Sequence, residues 1–306
     1  MAIRNDIIFL TRNAIDNLAW NTAIQNSQTP LIYAHTKWLD AISPKWSALV
    51  YKDYKAVMPI TTKKKYGIAY LAQPAFTQQL GIFHTLPYNQ EIITAFIEKA
   101  VEKFSFAEIF VNNTINNNTN SKPFVNYILP LNKEYEAIRK EYSNSMIKNS
   151  LPIMKKYPFV YNTNSQLNLA FFLYEKYILS NSGIAKKEIS KFKKLAINLE
   201  RTGEIITRSV HLNNKNPLAI ALLAKDTNRL YNLISVTTPD GRLTEANHFL
   251  YDSLIKEFSG NDIVLDFEGS SLPGVAHFYK KFGSQTETYT FLKWNHLSWP
   301  LRLFKK

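Results

Sequence analysis

The chain has 306 residues and a formal net charge of +13, from 37 lysines and arginines against 24 aspartates and glutamates. A chain of this length buries a substantial core and most naturally forms two domains. It has no cysteine, which excludes disulfides, thiolate metal ligands and a cysteine nucleophile, and its six histidines show no metal-ligand spacing, so we expect no metal site.

The first residues include an acid, Asp6, which breaks the pattern of a signal peptide, and no apolar run reaches membrane-spanning length. We therefore expect a cytoplasmic protein without a transmembrane segment. The positive charge favours an anionic partner, for which tRNA is a candidate, but no nucleic-acid-binding motif is present and we expect no DNA partner. The lysine-rich run at 186–194 also fits the solvated face of an amphipathic helix.

Three segments of the first half have strand character, namely 46–51, 55–60 and 68–73. A helix is predicted next, because apolar residues recur at helical spacing from Ile93 to Phe104. A strand at 107–112 follows, so the order is β-β-β-α-β.

The asparagine-rich stretch 112–123 cannot bury an apolar face and is predicted to form a loop. A helical link is predicted over 134–150. We therefore divide the chain into an N-terminal domain, 1–132, and a C-terminal domain, 133–306.

The second half repeats the order of the first. Strands are predicted at 204–212, 218–225 and 230–236, followed by a helix centred on Leu250 and Leu254 and by a strand ending at 266–268. The repeat predicts a duplicated α/β architecture, although no residue identity between the halves is visible. Because the first half has a loop where the second has a late helix, we expect the reaction centre in the second half or in the groove between the halves.

The junction Leu265-Asp266-Phe267-Glu268-Gly269 reads as a strand that leads into this late helix. In an extended strand Asp266 and Glu268, two residues apart, project to the same side. The helix has three predicted landmarks: an N-cap at Ser270 or Ser271, an apolar stripe of Val275, Phe278 and Phe282, and an end at Gly283. Its free amide groups favour a carbonyl oxygen, carboxylate or phosphate.

These residues resemble the signature of the Fem-type peptidyltransferases and the wider GNAT-like acyltransferases. Asp266-Phe267-Glu268-Gly269 is similar to the family's strand end, the segment 274–283 to its helix, and 286–294 to its closing strand. Upstream, the segment 142–149 looks like another Fem helix. Two features depart from the family: its helix lysine falls on Tyr279, with Lys280 one place on, and the arginines of the upstream helix are mostly missing.

The resemblance implies an α/β fold of the tandem GNAT-like type, and transfer of an acyl or aminoacyl group to an amine, with a cell-envelope or peptidoglycan precursor as a candidate acceptor. Coenzyme A enzymes of this class carry a glycine-rich loop that binds pyrophosphate. Here the corresponding segment 238–243 keeps only Gly241, which also fits a plain turn. We therefore expect no tightly bound cofactor and favour aminoacyl-tRNA over acetyl-coenzyme A as donor, which is what the Fem resemblance also implies.

The candidate catalytic residues are Glu268, Asp266 and Tyr279. A carboxylate with a raised pKa can deprotonate an amine, and a tyrosine can donate to a leaving group. The alternatives are structural: Asp266 as a hydrogen-bond acceptor at the strand end, and Tyr279 as a packing residue.

The candidate substrate-binding residues share polar or aromatic side chains beside the predicted groove. They are Gln73, Phe76, Thr77, Gln79, Asn247, His248, Ser270 and Lys280. Each has a plainer reading: the first four as a loop that caps the sheet after Pro74, His248 as a residue packed on the sheet, and Lys280 as a solvated side chain.

Three functions stay open at this stage. The first is the Fem-like N-acyltransferase, the second an acetyl-coenzyme A-dependent N-acetyltransferase, and the third a catalytically inactive ligand-binding protein of the same fold. Serine hydrolases, dinucleotide-binding enzymes and P-loop enzymes are set aside, because their glycine patterns do not occur. Acceptor and oligomeric state are not specified by the sequence.

Overall fold

The computed structural model describes residues 2–87, 90–115, 121–213, 216–269 and 272–302. The chain forms two compact units, Met1–Phe124 with Thr288–Lys306, and Val125–Glu287. The second unit is thus inserted in sequence before the last segment of the first. The division between 132 and 133 stays a prediction; the contacts group the end of the chain with the first unit.

The first unit begins with eleven regular elements. They are α1 (Ala2–Asn5), β1 (Ile7–Thr11), α2 (Asn17–Gln25), α3 (Thr36–Ile42), β2 (Ser47–Tyr51), β3 (Ala56–Ile60), β4 (Thr62–Lys65), β5 (Ile68–Ala72), β6 (Phe83–His84), α4 (Gln90–Lys103) and β7 (Phe106–Val111). The predicted strands at 46–51, 55–60, 68–73 and 107–112 and the helix between them are confirmed. No element was predicted before residue 46, where the structure has four.

The remaining elements continue in chain order. They are β8 (Ser121–Pro130), α5 (Tyr135–Lys140), α6 (Leu151–Met154), β9 (Phe159–Asn162), α7 (Leu167–Tyr177), α8 (Leu179–Ser182), α9 (Lys186–Arg201), β10 (Ile205–Leu212), β11 (Ala219–Lys225), β12 (Arg229–Thr237), α10 (Pro239–Leu243), α11 (Ala246–Phe258), β13 (Val264–Asp266), α12 (Pro273–Lys280), β14 (Gln285–Asn295) and α13 (Trp299–Arg302). A turn of π-helix, Met146–Ser150, precedes α6. The predicted link at 134–150 is therefore two short helical pieces, and β8 begins inside the stretch 112–123 that was predicted to be a loop.

In the first unit, β1, β2, β3 and β6 form an antiparallel sheet, with Ile7 opposite Tyr51. Strand β5 pairs antiparallel with β4 and parallel with β7, and β7 pairs antiparallel with β14. Helix α4 buries one face, including Ile93 and Phe96, in the core of this unit, as its helical spacing predicts.

In the second unit the strands lie in the order β8-β13-β12-β11-β10-β9. Strands β12 and β13 pair in parallel, and Tyr231 lies opposite Asp266 at the end of β13. Helix α11 buries Leu250 and Leu254 against this sheet, in a core that also contains Phe267 and Phe282. Helix α9 buries Ile189, Phe192, Ala196 and Leu199, as the lysine-rich amphipathic pattern predicts.

Strand β12 carries one extra residue. Leu222 lies opposite Ile234 and Leu223 opposite Asn232, so Leu233 is unpaired in a β-bulge. A bulge changes the alternation of side chains between the two faces of a sheet. The end of β12 after the bulge therefore presents Ser235 and Thr237 to a cavity, described below.

Candidate functional site

Asp266 lies in a buried polar network at the end of β13. Its carboxylate accepts hydrogen bonds from Nη1 of Arg229 at 2.7 Å, from Nδ2 of Asn126 at 2.9 Å and from the backbone N–H of Glu268 at 2.8 Å. The residue is only 1% exposed. With three donors already bound and no contact with water, Asp266 has the geometry of a structural acceptor, which is the alternative that the sequence left open.

Two carboxylates of this network, those of Asp266 and Glu287, share the cation Arg229. Arg229 donates hydrogen bonds to Glu287 as well as to Asp266. Burial lowers the pKa of Arg229, but the two carboxylates have the larger effect and raise it above its ordinary value. Burial raises the pKa of Asp266, while Arg229 and the other donors oppose the rise. Burial likewise disfavours ionisation of Glu287, but Arg229 brings its pKa below the ordinary value. The network fixes the position at which β13 ends.

The predicted placement of Asp266 and Glu268 on one face of an extended strand is wrong. The strand ends at Asp266, and Glu268 has a left-handed backbone with φ of 59°. The cause is local: the Asp266 carboxylate accepts the N–H two residues on, which turns the chain. A left-handed conformation is uncommon for a residue other than glycine, and such residues concentrate at functional sites.

Glu268 is partly exposed as a residue, but Oε1 of its carboxyl group is buried and has no hydrogen-bond partner in the part of the chain that the structure describes. Burial raises the pKa of Glu268 from its ordinary value of 4.5 to about 8. The group therefore changes its protonation state near neutral pH, as a general acid or base requires. Burial raises the pKa of both carboxyl groups, but Asp266 accepts three hydrogen bonds whereas Oε1 of Glu268 accepts none among the described residues.

Helix α12 follows this junction. Its N-cap is Leu272, without a side-chain hydrogen bond, so the predicted serine N-cap is wrong, and Ser270 and Ser271 themselves lie outside the described residues. The apolar stripe is confirmed, with Phe282 fully buried. The helix ends at Lys280, three residues before the predicted end at Gly283. Gly283 has a left-handed backbone with φ of 75°, and a Cβ there would lie 2.8 Å from the carbonyl oxygen of Glu141.

Tyr279 connects α12 to the strand junction. Its ring stacks on Phe267 with centroids 4.6 Å apart, and the residue is 7% exposed. Burial, together with the neighbouring Tyr251 and Glu268, raises the pKa of Tyr279 well above 10. The hydroxyl is therefore a neutral donor throughout the physiological range.

A cavity of about 690 Å³ adjoins Tyr279 in the second unit. Its walls come from four separate segments of the chain: the residue after α7, the end of β12, the segment from α10 to the start of α11, and the first turns of α12. The lining residues are Ile178, Ser235, Thr237, Gly241, Arg242, Glu245, Asn247, His248, Gly274, Val275, Phe278 and Tyr279. The volume is in the range of small-molecule sites.

Asn247 and His248, two predicted substrate-binding residues, both line this cavity. His248 is buried, and burial, with the charge of Lys281, lowers its pKa to about 3. Its Nε2 lies 3.0 Å from Nζ of Lys281, and its Nδ1 contacts Oε2 of Glu245. Thus His248 is a neutral imidazole in a chain of three side chains. The imidazole ring of His248 packs edge-on against the ring of Phe278, with centroids 4.7 Å apart.

Gly241 is not a plain turn residue, because it lies inside the short helix α10. A Cβ at this position would lie 2.1 Å from the carbonyl oxygen of Leu218, so close packing requires glycine. Its N–H donates to Oγ1 of Thr238, and the N–H of Arg242 donates to the carbonyl of Thr238. These two amides are already engaged within the protein.

The predicted residues of the first unit are engaged in local hydrogen bonds. Oε1 of Gln73 accepts a hydrogen bond from the backbone N–H of Phe110, and its Nε2 donates one to the carbonyl of Thr77. The Thr77 hydroxyl accepts a hydrogen bond from Nε1 of Trp38. Gln79 is buried and donates to its neighbour Gln78. Each of these pairings has the geometry of a loop that caps the sheet.

Two other predicted substrate-binding residues are also placed. Phe76 is half-buried and has a left-handed backbone. Lys280 is exposed, and its ammonium group lies 5.7 Å from the centre of the Tyr127 ring.

Several residues of the cavity were not predicted. Ser235 and Thr237 depend on the bulge in β12, and Ile178 and Glu245 belong to segments that are distant in sequence. Lys281, which contacts the lining residue His248, was not predicted either. The only signal in the sequence was Lys281 in the late-helix motif, next to the Lys280 that was chosen. Among the described residues no helix is long and apolar enough to cross a membrane, and no three possible metal ligands lie together.

Comparisons with solved structures identify the fold. FemX matches with a TM-score of 0.64 and 14% identity, over 95% of this chain and 98% of its own. A protein of unknown function from Bacteroides thetaiotaomicron matches with 0.60 and 10%, over 94% and 99%. The C-terminal domain of a protein described as a putative lysylphosphatidylglycerol synthetase, from Agrobacterium fabrum, matches with 0.53 and 10%, over 90% and 92%.

At these identities the similarity establishes the fold alone, which this chain shares with FemX, and it confirms the α/β fold class predicted from the sequence. No protein-family model matches the sequence. No curated protein matches it either.

Proposed function

We propose that the protein is an N-acyltransferase and that the cavity of the second unit is its reaction site. The observation that carries the proposal is that Tyr279 lies in the cavity wall within electrostatic range of Glu268, a residue outside the lining whose carboxyl pKa is raised by burial to about 8. The shared fold with FemX supports acyl transfer as the reaction class. The acceptor would be a primary amine, and a cell-envelope precursor is the candidate that the Fem resemblance implies.

The chemistry requires one base and one acid. In the proposed reaction the amine nitrogen attacks the carbonyl carbon of the acyl donor, and the carbonyl electron pair moves to oxygen. The nitrogen proton passes to the Glu268 carboxylate. The tetrahedral intermediate then collapses and expels the leaving group, which takes a proton from Tyr279 or from protonated Glu268. The N–H of Gly274, in the first turn of α12 at the cavity, is the proposed donor to the developing oxyanion.

For the donor, the proposal favours aminoacyl-tRNA over acetyl-coenzyme A. The amides of Gly241 and Arg242, which correspond to the pyrophosphate loop, are bonded within the protein. The net charge of +13 favours a polyanionic donor. No tightly bound cofactor is part of this proposal.

The test is turnover of wild type, Glu268→Gln and Tyr279→Phe with a panel of aminoacyl-tRNA donors and amine acceptors. Glu268→Gln is expected to lower the rate by about 10² to 10⁴, because general-base assistance is lost while the shape is retained. The wild-type rate is expected to rise with pH up to about 8, as Glu268 ionises. Full activity of Glu268→Gln, or a wild type without turnover for any donor, would refute the proposal and leave a ligand-binding role.

A further inference from the structure

The chain of Lys281, His248 and Glu245 determines the state of one wall of the cavity. Nζ of Lys281 lies 3.0 Å from Nε2 of His248 and 3.3 Å from Oγ of the buried Ser150. A lysine ammonium group only donates hydrogen bonds, so Nε2 of His248 must accept. The imidazole proton is then on Nδ1, which contacts Oε2 of Glu245 without the geometry of a hydrogen bond, so this oxygen keeps its capacity to accept one.

This arrangement holds Glu245 as an acceptor facing the cavity. His248 is neutral, because burial and Lys281 lower its pKa to about 3, so it orients the Glu245 carboxylate without neutralising its charge. Glu245 has a left-handed backbone, with φ of 61°, immediately before α11. Its side chain is 25% exposed and lines the cavity. Such a conformation is retained where the surrounding structure determines it.

Asn247 adds a second acceptor to the same wall. Its Oδ1 is buried and has no hydrogen-bond partner within the described part of the chain. A buried carbonyl oxygen without a donor is energetically unfavourable, so this atom needs a ligand or a water. Arg242, the only lysine or arginine among the lining residues, is exposed, and no ion pair joins it to Glu245 among the described residues. The wall therefore offers two acceptors and needs a donor with positive charge.

We propose that Glu245 and Asn247 form a subsite for an organic ammonium ion, with His248 and Lys281 as positioning residues. A primary ammonium group has three donors, which suits a carboxylate and an amide oxygen together. Ile178, Val275 and Phe278 line the same cavity and suit an aliphatic chain attached to the ammonium group. The inference rests on the proposed function in one respect: it assigns this subsite to the acceptor amine, which binds as an ammonium ion and gives one proton to the Glu245 carboxylate before its neutral nitrogen attacks.

Binding without any acyl donor tests the subsite directly. Isothermal titration with n-pentylammonium chloride and with n-pentanol compares a cation with a neutral alcohol of the same chain length. Wild type is expected to bind pentylammonium, and Glu245→Gln to bind it at least about tenfold more weakly, about 1.4 kcal/mol. Pentanol is expected to bind equally to both. The matched control Glu136→Gln removes a carboxylate whose side chain is 74% exposed and is expected to change neither affinity.

A spectroscopic measurement separates positioning from general structural support. ¹⁵N NMR of the imidazole, assigned with His248→Gln, is expected to show the Nδ1–H tautomer of His248. Its Nδ1 resonance is expected to shift and saturate with pentylammonium but not with pentanol. Lys281→Met is expected to lose the single tautomer while the protein stays folded. This measurement on wild type also decides the matter if Glu245→Gln does not fold.

Three results would overturn the inference: no saturable binding of pentylammonium, equal affinity in Glu245→Gln, or a His248 resonance that ignores the ligand. Because no acyl donor is present, these outcomes are independent of catalysis. Binding at Glu245 in a protein without turnover would refute the proposed function and retain the subsite. Turnover without ammonium binding would do the reverse.

Discussion

Glu268 should make the stability of this protein depend on pH in a way that Glu268→Gln removes. The pKa of Glu268 is about 8 in the folded chain and near its ordinary value of 4.5 in the unfolded chain. The folded state therefore holds this proton over a pH range in which the unfolded state has released it. Stability from this group is fully present below pH 4.5 and is lost as the pH rises through about 8.

The size of the effect follows from the two pKa values. At about 1.4 kcal/mol per pKa unit, the free energy of unfolding of wild type falls by roughly 5 kcal/mol between pH 4.5 and pH values above 8 because of Glu268 alone. Gln has the same shape and no charge. Relative to wild type, Glu268→Gln should thus be nearly neutral at pH 4.5, more stable by roughly 3 kcal/mol at pH 7, and more stable by roughly 5 kcal/mol at pH 9.

Urea denaturation of both proteins at half-unit steps from pH 4.5 to pH 9 measures this difference. Other titrating groups cancel, because only the difference between the variants is used. The exposed control Glu136→Gln should stay within about 0.5 kcal/mol of wild type at every pH. If the difference in unfolding free energy between Glu268→Gln and wild type does not change with pH over this range, burial does not raise the pKa of Glu268. The reason for choosing Glu268 as the base would then be lost.

Three further predictions concern the same unit. Asp266→Asn should lower the free energy of unfolding by about 3 kcal/mol, because it breaks a buried pair with Arg229; a urea midpoint equal to wild type would contradict this. Gly241→Ala should destabilise by about 1 to 3 kcal/mol, since the added Cβ meets the carbonyl of Leu218, and an unchanged melting temperature would show that the helix can shift. Acetyl-coenzyme A should bind more weakly than about 10 μM in calorimetry, whereas tighter binding would support an ordinary acetyltransferase.

The sequence predicted the central strands and the helices α9 and α11 of the second unit well, whereas no element was predicted at β9, α7 or α8. The predicted strands at 204–212, 218–225 and 230–236 match β10, β11 and β12 within one residue at each end. The apolar periodicity of α9 and α11 also matched the buried faces. These features follow local rules, because a helix or strand repeats its side-chain direction every few residues and the core selects apolar ones.

Local rules failed where the backbone leaves the regular pattern. An extended strand through Glu268 was the simplest expectation, but the carboxylate of Asp266 captures the N–H of Glu268 and turns the chain. The extra residue Leu233 in β12 leaves no trace in the apolar pattern, yet it decides which side chains line the cavity. Both features depend on hydrogen bonds whose partners are not evident from residue type.

The candidate site was predicted in part. Asn247, His248 and Tyr279 were chosen from the sequence and do line one cavity, whereas Gln73 and Thr77 are engaged in a loop of the first unit. The sequence suggested Glu268 as a base but did not indicate its pKa. The value of about 8 depends on burial of the carboxyl group, and burial is decided by tertiary packing. The sequence by itself thus determined which residue types were present and where the strands and helices run. Tertiary structure decided which of them meet, because a cavity assembled from four distant segments is a property of their packing and not of any local pattern.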